Sequence, residues 1–426
     1  MKNKYNVIIV GCGSAGLGAA FELTDCGFAG SILVIDQKSA GGSGLRNDCK
    51  QNYSFPIGFP TDVWSETEAN LLLGKVKNHL KPEFKEKKNI SIYQNRASRI
   101  NVNLVNIDQY HVGTDKSKDL INSLVSELKN KGVEFRFETT LTNIVDNEIT
   151  LKDKNDKYSN LKYDNIVLAL GRGGFYQLQL FMNVLNIPYI DNIIDIGLRV
   201  ETKIENYPIV KDYYDPKFYF PNAVRTFCTN SGYAQVVQEA YDGFYSVNGH
   251  ALSSEKGVND LVNFAMLKTF KLTDPVRSGQ RFASILGKAA MEIGGGRPIM
   301  QRVGDFRLDK RSKESSFNED LYNFKNTLNC TAGDIALAMP ARIMKDIWKS
   351  LKMLDTIIPG VIRPETILYY PEIKMYGNKP KFMNEHFKVA KKTYMIGDAA
   401  GTSRGITAAW ASGIRCAQGI LNERKI

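Results

Sequence analysis

The sequence has few of the residues that build disulfide frameworks and metal sites. Its 426 residues include only six cysteines and four histidines, and no two cysteines form a Cys-X-X-Cys pair. Thiols and imidazoles scattered without ligand-like spacing argue against both a disulfide scaffold and a zinc site. We therefore expect no bound metal.

Long apolar runs are also missing. No uninterrupted run approaches the roughly 18 apolar residues of a membrane-spanning helix. The N-terminus imitates a secretory signal, with lysines before apolar residues, but its apolar core covers only residues 7–10. The sequence therefore predicts a cytoplasmic protein with no membrane partner.

An excess of positive charge, formally +11, would suit nucleic acid or anionic lipid. The clearest basic run, 81–88, also contains Glu83 and Glu86, which favours a solvated surface. We expect no stable nucleic-acid complex, although a modest basic field can attract an anionic small-molecule substrate. With 43% hydrophobic residues and no low-complexity segment, the chain is long enough for two domains.

A glycine turn near the N-terminus carries the strongest pattern. The apolar run 7–10 precedes Gly11, Gly13 and Gly16, and a helix-like segment follows at 17–26. Gly11 permits a tight turn, and Gly13 lets a pyrophosphate approach the backbone. Gly16 lets helix and strand pack closely. Strand, turn and helix in this order predict a dinucleotide-binding unit.

A second apolar run, 31–35, ends on Asp36. Amides at the helix N-terminus, such as those of Ser14 and Ala15, favour the phosphates, and the Asp36 carboxylate can accept the ribose hydroxyls of an adenosine. That carboxylate would repel a 2′-phosphate. These residues alone leave NAD and FAD equally open.

The loop after the second strand combines small residues with dense polar chemistry. Residues 40–44 are small, and Arg46, Asn47, Asp48 and Lys50 follow at once. Glycines let the backbone lie against a ligand, so we favour a binding loop over a flexible surface loop.

Further along the chain, the spacing of apolar residues predicts a helix at 115–131 that leads into a sheet strand at 133–137. A hairpin is expected next, and then a buried strand at 164–168 that runs into a turn at Gly171. Beyond residue 175 the patterns predict an antiparallel meander followed by two helices. The hairpin strands are 143–145 and 148–151; the meander strands are 223–228, 233–239 and 244–248; the helices are 259–270 and 282–291.

Near the C-terminus, residues 393–398 read as a strand that ends on Asp398. Gly401, Arg404 and Gly405 follow, and then an alanine-rich helix runs through Leu421. Such a unit offers a carboxylate and amide donors together, although a plain docked strand and helix would look the same. The glycines at 294–296 follow no apolar strand, which argues against a second nucleotide domain.

Three motifs in one order resemble the glutathione-reductase-like flavoproteins: the Gly11–Gly16 turn with Asp36, residues 168–171, and residues 397–401. The chain looks closest to bacterial FAD-dependent dehydrogenases of that superfamily. Further segments similar to that family are 113–115, 196–201, Phe227-Cys228, 298–301, Asp305-Phe306 and 397–406.

The resemblance implies an α/β fold: a Rossmann-type FAD-binding domain with a parallel sheet, helices and a small β-meander, plus an inserted α+β substrate domain. We expect the FAD domain at 1–174 with 390–426 and the substrate or cap domain at 175–389. The expected FAD contacts are Gly11, Gly13, Ser14, Ala15, Gly16, Asp36, Gly42, Ser43, Arg46, Lys50, Gly171, Gly397, Asp398, Gly401, Arg404, Gly405 and Ile406.

The implied function is an FAD-dependent oxidoreductase, a dehydrogenase or reductase that transfers hydride between flavin N5 and a small or medium organic substrate. An FAD monooxygenase or oxidase remains open, as does a non-redox FAD protein such as a hydratase, an isomerase or an RNA-associated protein. Because no second glycine unit is present, NAD(P)H would visit only as a transient reductant.

Catalytic candidates are Lys50, Cys228 and Tyr233. Lys50 or Arg404 could stabilise negative charge near flavin N1. Proton donors are left open among Cys228, Tyr233, His250 and Asp48. At 228–232 the sequence departs from relatives that carry a second cysteine and a proline-glycine pair, so dithiol chemistry is not expected. The substrate, the reaction direction and the oligomeric state are not predicted.

Overall fold

The computed structural model describes residues 2–47, 49–81, 83–253, 256–270 and 278–424. The chain divides into two compact units. The first unit comprises Met1–Glu83, Tyr110–Asn192 and Tyr376–Ile426, and the second comprises Phe84–Gln109 and Ile193–Met375.

The strands, in chain order, are β1 (Lys4–Val10), β2 (Ile32–Ile35), β3 (Gln51–Asn52), β4 (Glu83–Lys85), β5 (Asn103–Val105), β6 (Gln109–His111), β7 (Glu134–Arg136), β8 (Thr139–Val145), β9 (Glu148–Asp153), β10 (Tyr158–Leu168), β11 (Tyr189–Asp191), β12 (Ile194–Lys203), β13 (Lys217–Phe220), β14 (Val224–Asn230), β15 (Ala234–Tyr241), β16 (Phe244–Ala251), β17 (Leu261–Phe270), β18 (Ile299–Arg302), β19 (Thr331–Ala332), β20 (Ile367–Met375), β21 (Asn378–Pro380), β22 (Lys388–Ala390) and β23 (Thr393–Met395).

The α-helices are α1 (Ser14–Asp25), α2 (Gly42–Arg46), α3 (Glu66–Leu80), α4 (Ile90–Ser98), α5 (Thr114–Asn130), α6 (Phe175–Val184), α7 (Gly279–Ile293), α8 (Val303–Phe306), α9 (Glu319–Tyr322), α10 (Ala341–Ile357) and α11 (Ile406–Arg424). Among the described residues, no helix is long and apolar enough to cross a membrane.

The first unit is built on a parallel sheet in the order β23-β10-β1-β2-β7, with β22 antiparallel at one edge. The β2 side chains are all buried, as expected for a parallel strand covered on both faces. β8, β9 and β10 form a small antiparallel meander that leads into the sheet. This arrangement confirms the predicted Rossmann-type α/β fold.

The last helix packs directly on the first. A β-carbon placed on Gly18 in α1 would lie 2.4 Å from the carbonyl oxygen of Trp410 in α11. Reciprocally, a β-carbon on Gly413 would lie 2.1 Å from the carbonyl oxygen of Ala15. Glycine at both crossing points lets the two backbones approach closely, so the two ends of the chain meet in one packed layer.

The second unit is an α+β assembly around a sheet in the order β19-β18-β20-β12-β17-β14-β13-β5, largely antiparallel. β15 and β16 pair with each other in a separate hairpin. Helix α10 buries Ile343, Ile347, Leu351 and Leu354 at helical spacing, which explains its amphipathic sequence.

One secondary-structure prediction is wrong. Residues 259–270, predicted as a helix, contain strand β17, which pairs with β12 along its whole length. β17 is buried from Val262 to Lys268 on both of its faces. A strand that is buried on both faces does not alternate between buried and exposed residues, so periodicity alone does not identify it.

The predicted meander is correct in its second pairing and wrong in its first. β14 pairs with β13 and β17 in the large sheet, whereas β15 and β16 form their own hairpin through the Asp242-Gly243 turn. The register between β14 and β17 shifts between Phe227 and Asn230. The strands were identified, but their partners depend on contacts distant in sequence.

The unit boundaries differ from the predicted domains in three places. Residues 84–109 lie in the second unit, where β5 pairs with β13. Residues 175–192 and 376–389 lie in the first unit, where β11 pairs with β21. In each case strands that are distant in sequence pair with each other and determine the unit to which a segment belongs. Local composition does not predict such pairing.

Candidate cofactor-binding site

The turn between β1 and α1 can hold only glycine at two positions. Gly11 has φ +110°, and a β-carbon there would lie 2.1 Å from the carbonyl oxygen of Ala169. A β-carbon on Gly16 would lie 1.9 Å from the carbonyl oxygen of Gly11. The turn therefore brings the end of β1, the start of α1 and the end of β10 into direct backbone contact.

The first turn of α1 presents backbone amides without helical acceptors. The Leu17 N–H donates to the Gly13 carbonyl over 2.9 Å, so the amides of Ser14, Ala15 and Gly16 precede the first intrahelical bond. Gly13 offers no side-chain cap, and the first turn has no acidic residue. Amides and helix dipole together make this turn suitable for an anion such as pyrophosphate.

Asp36 follows β2 and faces the same turn. Its Oδ2 accepts the Cys12 N–H over 2.8 Å, and its Oδ1 accepts the Lys38 N–H over 2.8 Å. A carboxylate has about four lone-pair positions, so capacity for two ribose hydroxyls remains. Asp36 thus both holds the glycine turn and stays available to a ligand.

A small groove, open to solvent, lies at Gly11 and Asp36. It is bounded by the ends of β1, β2 and β10 and by the start of β8. Its lining residues are Val10, Gly11, Ile35, Asp36, Gln37, Thr139, Thr140, Leu141, Leu170, Gly174 and Gln177. Ligands of open parallel sheets bind beyond the carboxyl ends of the strands, which is where this groove lies.

The late Gly397-Asp398 segment forms a compact acidic turn. Asp398 Oδ1 accepts the Ser403 hydroxyl over 2.7 Å and the Gly405 N–H over 3.2 Å. Arg172 Nε lies 3.5 Å from Asp398 Oδ2. Burial raises the pKa of Asp398, while the Arg172 charge and these hydrogen bonds act against the rise.

The acidic turn lies against the start of α1. A β-carbon on Gly397 would lie 3.1 Å from the Ala15 β-carbon. The Thr402 hydroxyl accepts the Gly397 N–H over 2.8 Å and fixes the turn, and Trp64 Nε1 donates to the Thr402 carbonyl over 2.7 Å. The structure thus brings together the two motifs that the sequence places almost four hundred residues apart.

Arg404 supplies a cation beside this turn. Its guanidinium lies over the Tyr376 ring, 4.5 Å from the centroid. Its Nε is buried and has no hydrogen-bond partner among the described residues. A buried donor without an acceptor is costly, so this atom suits a site that a polar ligand completes.

Helix α11 begins close by, at Ile406. The Ala409 N–H donates to the Gly405 carbonyl over 2.9 Å, so the amides of Ile406, Thr407 and Ala408 precede the first intrahelical bond. Gly401 and Gly405 have φ +66° and +121°, which the turn into this helix requires. A second helix N-terminus therefore lies in the segment that carries Asp398.

The loop after β2 contributes α2, whose first residue, Gly42, approaches the glycine turn. A β-carbon on Gly42 would lie 3.2 Å from Gly13 Cα. Arg46 is exposed and donates from Nε to the Ala40 carbonyl over 2.7 Å and from Nη2 to the Ser39 hydroxyl. Ser43 lies in α2, and Asp48 lies outside the described residues.

Lys50, Cys228 and Tyr233, the predicted catalytic residues, are divided between the units. Half-buried Lys50 belongs to the first unit, whereas Cys228 and Tyr233 belong to the second. Cys228 has φ +47°, and its carbonyl accepts hydrogen bonds from Arg199 and Asn230. His250 shares a hydrogen bond of 3.0 Å with Gln235. These contacts do not connect Lys50 with the other candidates.

Sequence reasoning missed Arg172, Thr402 and Ser403, all of which organise the acidic turn. Arg172 stands between Gly171 and Gly173, and a cation within a glycine turn is a signal that could have been used. Gly171 itself has φ +65° and faces open space, as a ligand-approach position requires. Thr402 and Ser403 follow Asp398 closely, but their bonds back to that turn depend on its folded shape.

The second unit holds a buried charge network that the sequence did not reveal. Fully buried Arg199 forms a two-point ion pair with Glu372, over 2.7 and 2.8 Å, and donates to Asn263 Oδ1 over 2.7 Å. Lys374 bridges Glu372 and Glu239 at 3.5 and 3.0 Å. Burial acts to lower the pKa of Arg199, but Glu372 and the hydrogen bonds raise it overall.

Comparison with known families gives a match to the pyridine nucleotide-disulphide oxidoreductase model over residues 5–171. The matched segment covers the glycine turn, Asp36 and the Gly171 turn, and it is less than half of the chain. An uncharacterised protein from Clostridium beijerinckii is 22% identical, with 99% of this chain and 81% of that protein aligned.

Similar solved structures include glycerol-3-phosphate dehydrogenase from Bacillus halodurans with FAD, at 9% identity and a TM-score of 0.44, covering 100% of this chain and 66% of that one. L-Proline dehydrogenase from P. horikoshii has 11% identity and a TM-score of 0.43, covering 99% and 95%. p-Nitrophenol 4-monooxygenase from Pseudomonas putida has 11% identity and a TM-score of 0.44, covering 100% and 81%. Similarity this low identifies no substrate.

The family match and the site geometry agree on the general chemistry. The match covers the strand, turn and acid that form the nucleotide-binding half, and the acidic turn lies against that half. The sequence predictions of a Rossmann-type fold, of FAD as cofactor and of an oxidoreductase are confirmed. The protein is an FAD-dependent oxidoreductase.

Proposed function

We propose that the protein transfers hydride between flavin N5 and a carbon of a small or medium organic substrate, as a dehydrogenase or reductase related to the bacterial FAD-dependent dehydrogenases. The observation that carries this proposal is the proximity of the acidic turn, through Gly397, to Ala15 in the first turn of α1. Two phosphate-compatible helix N-termini and two carboxylates in one unit suit a long dinucleotide such as FAD better than a mononucleotide.

In this proposal the pyrophosphate lies on the amides of Ser14, Ala15 and Gly16, with Gly13 leaving room for its approach. Asp36 accepts the adenosine ribose hydroxyls, and the adenine occupies the groove beside Gly11. Gly42 and Arg46 add contacts from the following loop. The acidic turn, with Asp398 and Arg404, holds the ribityl-pyrophosphate portion.

FAD supplies the two-electron chemistry, and the protein supplies binding, orientation and electrostatics. Arg404 and Lys50 are proposed to stabilise negative charge at the N1 edge, together with the amides that begin α11. Cys228 and Tyr233 remain proposed contributors from the second unit, where we assign substrate selection. Of that unit, only Phe84–Gln109 falls within the matched residues 5–171, which is consistent with a substrate-specific role.

The test is anaerobic stopped-flow spectroscopy of the FAD-loaded protein with NADH or NADPH, followed by air. Bleaching of the flavin absorbance, with slow return in air, supports a dehydrogenase or reductase. Rapid return, or an absorbance transient that forms only with oxygen, would favour the oxidase or monooxygenase alternative. Absence of reduction by these and by chemical hydride donors would point to a non-redox FAD protein.

The role of Lys50 has its own test, with Lys50→Met as the variant. Loss of a cation near N1 should make the flavin harder to reduce and should slow turnover. The control is Lys38→Met, which removes an exposed lysine of the same unit. A flavin potential and turnover unchanged in Lys50→Met would remove Lys50 from the proposal.

A further inference from the structure

An uncharged segment of the first unit places apolar side chains in solvent. Between Arg172 and Asp191 the sequence contains no charged residue, and this stretch forms α6 and enters β11. Four large side chains of the stretch, which we call the α6 stripe, are exposed. They are Tyr176 (42%), Leu180 (64%), Val184 (53%) and Ile190 (67%).

The α6 stripe is not the ordinary outer face of an amphipathic helix. The opposite face of α6 is already buried through Phe175, Leu178, Phe181 and Met182. α6 also contains Gln177, Gln179 and Asn183, but none of its ten residues is charged. Contiguous exposed apolar side chains of this kind mark an interaction surface.

Leu71 in α3 shows the contrast. It is 69% exposed, as Leu180 is 64% exposed, yet it lies about one helical turn after Glu68 and one turn before Lys75. The residues one turn before and after Leu180 are Tyr176 and Val184. A singly exposed leucine among charges is common on soluble proteins, whereas a continuous apolar row is not.

The α6 stripe is too small to be explained as the interface of a stable dimer. A standard protein interface uses roughly 20–30 residues on each side. The stripe offers four large apolar side chains. A lipid surface needs fewer, because a few inserted side chains combine with electrostatic attraction to anionic headgroups.

Two lysines border the Ile190 end of the α6 stripe, where Asp191, which accepts a hydrogen bond from Gln179 of α6, is the neighbouring acidic residue. Lys379 pairs with Ile190 across the β11–β21 ladder, and exposed Lys381 donates its backbone N–H to Pro188. Lys379 forms a 2.5 Å ion pair with Asp62, which leaves Lys381 as the cation without an ion pair to any described residue. The formal charge of +11 adds a long-range attraction.

We propose that the α6 stripe docks the protein on the surface of an anionic phospholipid bilayer. Leu180 and Val184 enter the headgroup boundary, Tyr176 lies at the interface, and Lys381 approaches the lipid phosphates. This goes beyond the proposed hydride transfer and departs from the composition-based expectation of no membrane partner. In this proposal the protein lies on the bilayer surface and does not cross the bilayer.

The test is sedimentation of the full-length FAD-loaded protein with vesicles of phosphatidylcholine and phosphatidylglycerol, against vesicles of phosphatidylcholine alone. We expect binding to the mixed vesicles that weakens with salt. Leu180→Glu with Val184→Glu should reduce the bound fraction roughly tenfold or more, because it removes apolar contact and adds repulsion. Leu71→Glu, the matched control, should bind as the parent does.

Three results would overturn the proposal. The first is absence of binding of the parent protein to the mixed vesicles. The second is equal loss of binding in Leu71→Glu and in the α6 double variant. The third is concentration-dependent self-association that the α6 double variant abolishes, measured by analytical ultracentrifugation, because it would assign the stripe to a second copy. Bound FAD absorbance and far-UV circular dichroism verify that each variant is folded.

Discussion

The glycine turn of the first unit and the charge network of the second unit organise their surroundings by opposite means. Around Gly11 the ligand-facing groups are backbone amides, made accessible because side chains are absent. Around Arg199 the organising groups are side chains, fully buried and paired over 2.7 Å. The first arrangement leaves polar capacity open for a ligand, whereas in the second all three guanidinium nitrogens of Arg199 are bonded to neighbouring side chains.

This difference separates a binding surface from a structural centre. A buried ion pair with both partners satisfied stabilises one arrangement of the strands that carry it, and it becomes costly when one partner is removed. Backbone amides at a helix N-terminus have no partner to lose within the helix, so they remain available. Substitutions in each region test whether the glycine turn behaves as a binding surface and the Arg199 network as a structural centre.

The largest effect is expected for Gly11→Ala. The new β-carbon would lie 2.1 Å from the Ala169 carbonyl oxygen at φ +110°, so the turn must move or the unit must unfold. We expect a loss of more than about 4 kcal/mol in unfolding free energy, or no folded protein. Denaturant titration measures it.

The matched control is Gly27→Ala, which has φ +71° but nothing within 4 Å. Its cost should be limited to backbone strain of about 1 kcal/mol. Equal stability of the two variants would show that close backbone approach at Gly11 is not what holds the turn.

The next effect is expected for Arg199→Met. Removing the cation leaves Glu372 buried with its charge only partly compensated by Lys374, so the unfolding free energy should fall by about 3–5 kcal/mol. The double variant Arg199→Met/Glu372→Leu should recover part of that loss, since no unpaired charge then remains at this position. Urea denaturation of both proteins provides the comparison.

Lys154→Met is the surface control for this prediction. Lys154 pairs with Glu138 at 3.2 Å, and both side chains are largely exposed, so its loss should cost less than about 1 kcal/mol. If Arg199→Met were as mild as Lys154→Met, the network would not be a structural centre.

A smaller effect is expected for FAD affinity in Asp36→Asn. Hydrogen bonds to a charged group contribute about 1.5–3 kcal/mol, so FAD binding should weaken by roughly 10- to 100-fold. Titration of the apoprotein with FAD, followed by flavin fluorescence, gives the dissociation constant. Glu138→Gln, at an exposed carboxyl of the same unit, should leave it unchanged; an Asp36→Asn protein with parental affinity would remove Asp36 from the site.

The smallest effect concerns pH. Because burial raises the pKa of Asp398 above its value in the unfolded chain, the folded protein holds that proton more tightly. Ionisation therefore costs stability as pH rises from about 4 through the raised pKa, with a slope of at most about 1.4 kcal/mol per pH unit.

Asp398→Asn removes this titration. The difference in unfolding free energy between the apoprotein variant and its parent should shift in favour of the variant as pH rises through that window, measured by denaturant titration at several pH values. A pH-independent difference would show that Asp398 does not titrate with a raised pKa.

The glycine turn was predictable from sequence because its constraints are local. Gly11 and Gly16 must be glycines for reasons that involve residues of the same strand, turn and helix, together with the end of one neighbouring strand. The parallel strands followed from short apolar runs beside turn residues, and α5 followed from apolar residues at helical spacing. For β17, burial on both faces erased the period, and the helix prediction was wrong.

Features assembled from distant positions were not predictable. Arg199 and Glu372 are 173 residues apart, and the adjacent Gly249 is required because a β-carbon there would lie 2.3 Å from an Arg199 nitrogen. Arg172 meets Asp398 only after folding. α6 begins at the predicted domain boundary. Its exposed apolar row cannot be recognised from the sequence, because this requires knowing that the opposite face of the helix is buried.

The most direct test of the central claim is a structure of the FAD-bound protein. The claim is that one FAD occupies both the glycine turn and the acidic turn. We predict that the pyrophosphate meets the amides of Ser14, Ala15 and Gly16, and that Asp398 contacts the ribityl-pyrophosphate portion of the same molecule. FAD bound at the glycine turn with Asp398 out of contact range would contradict the claim.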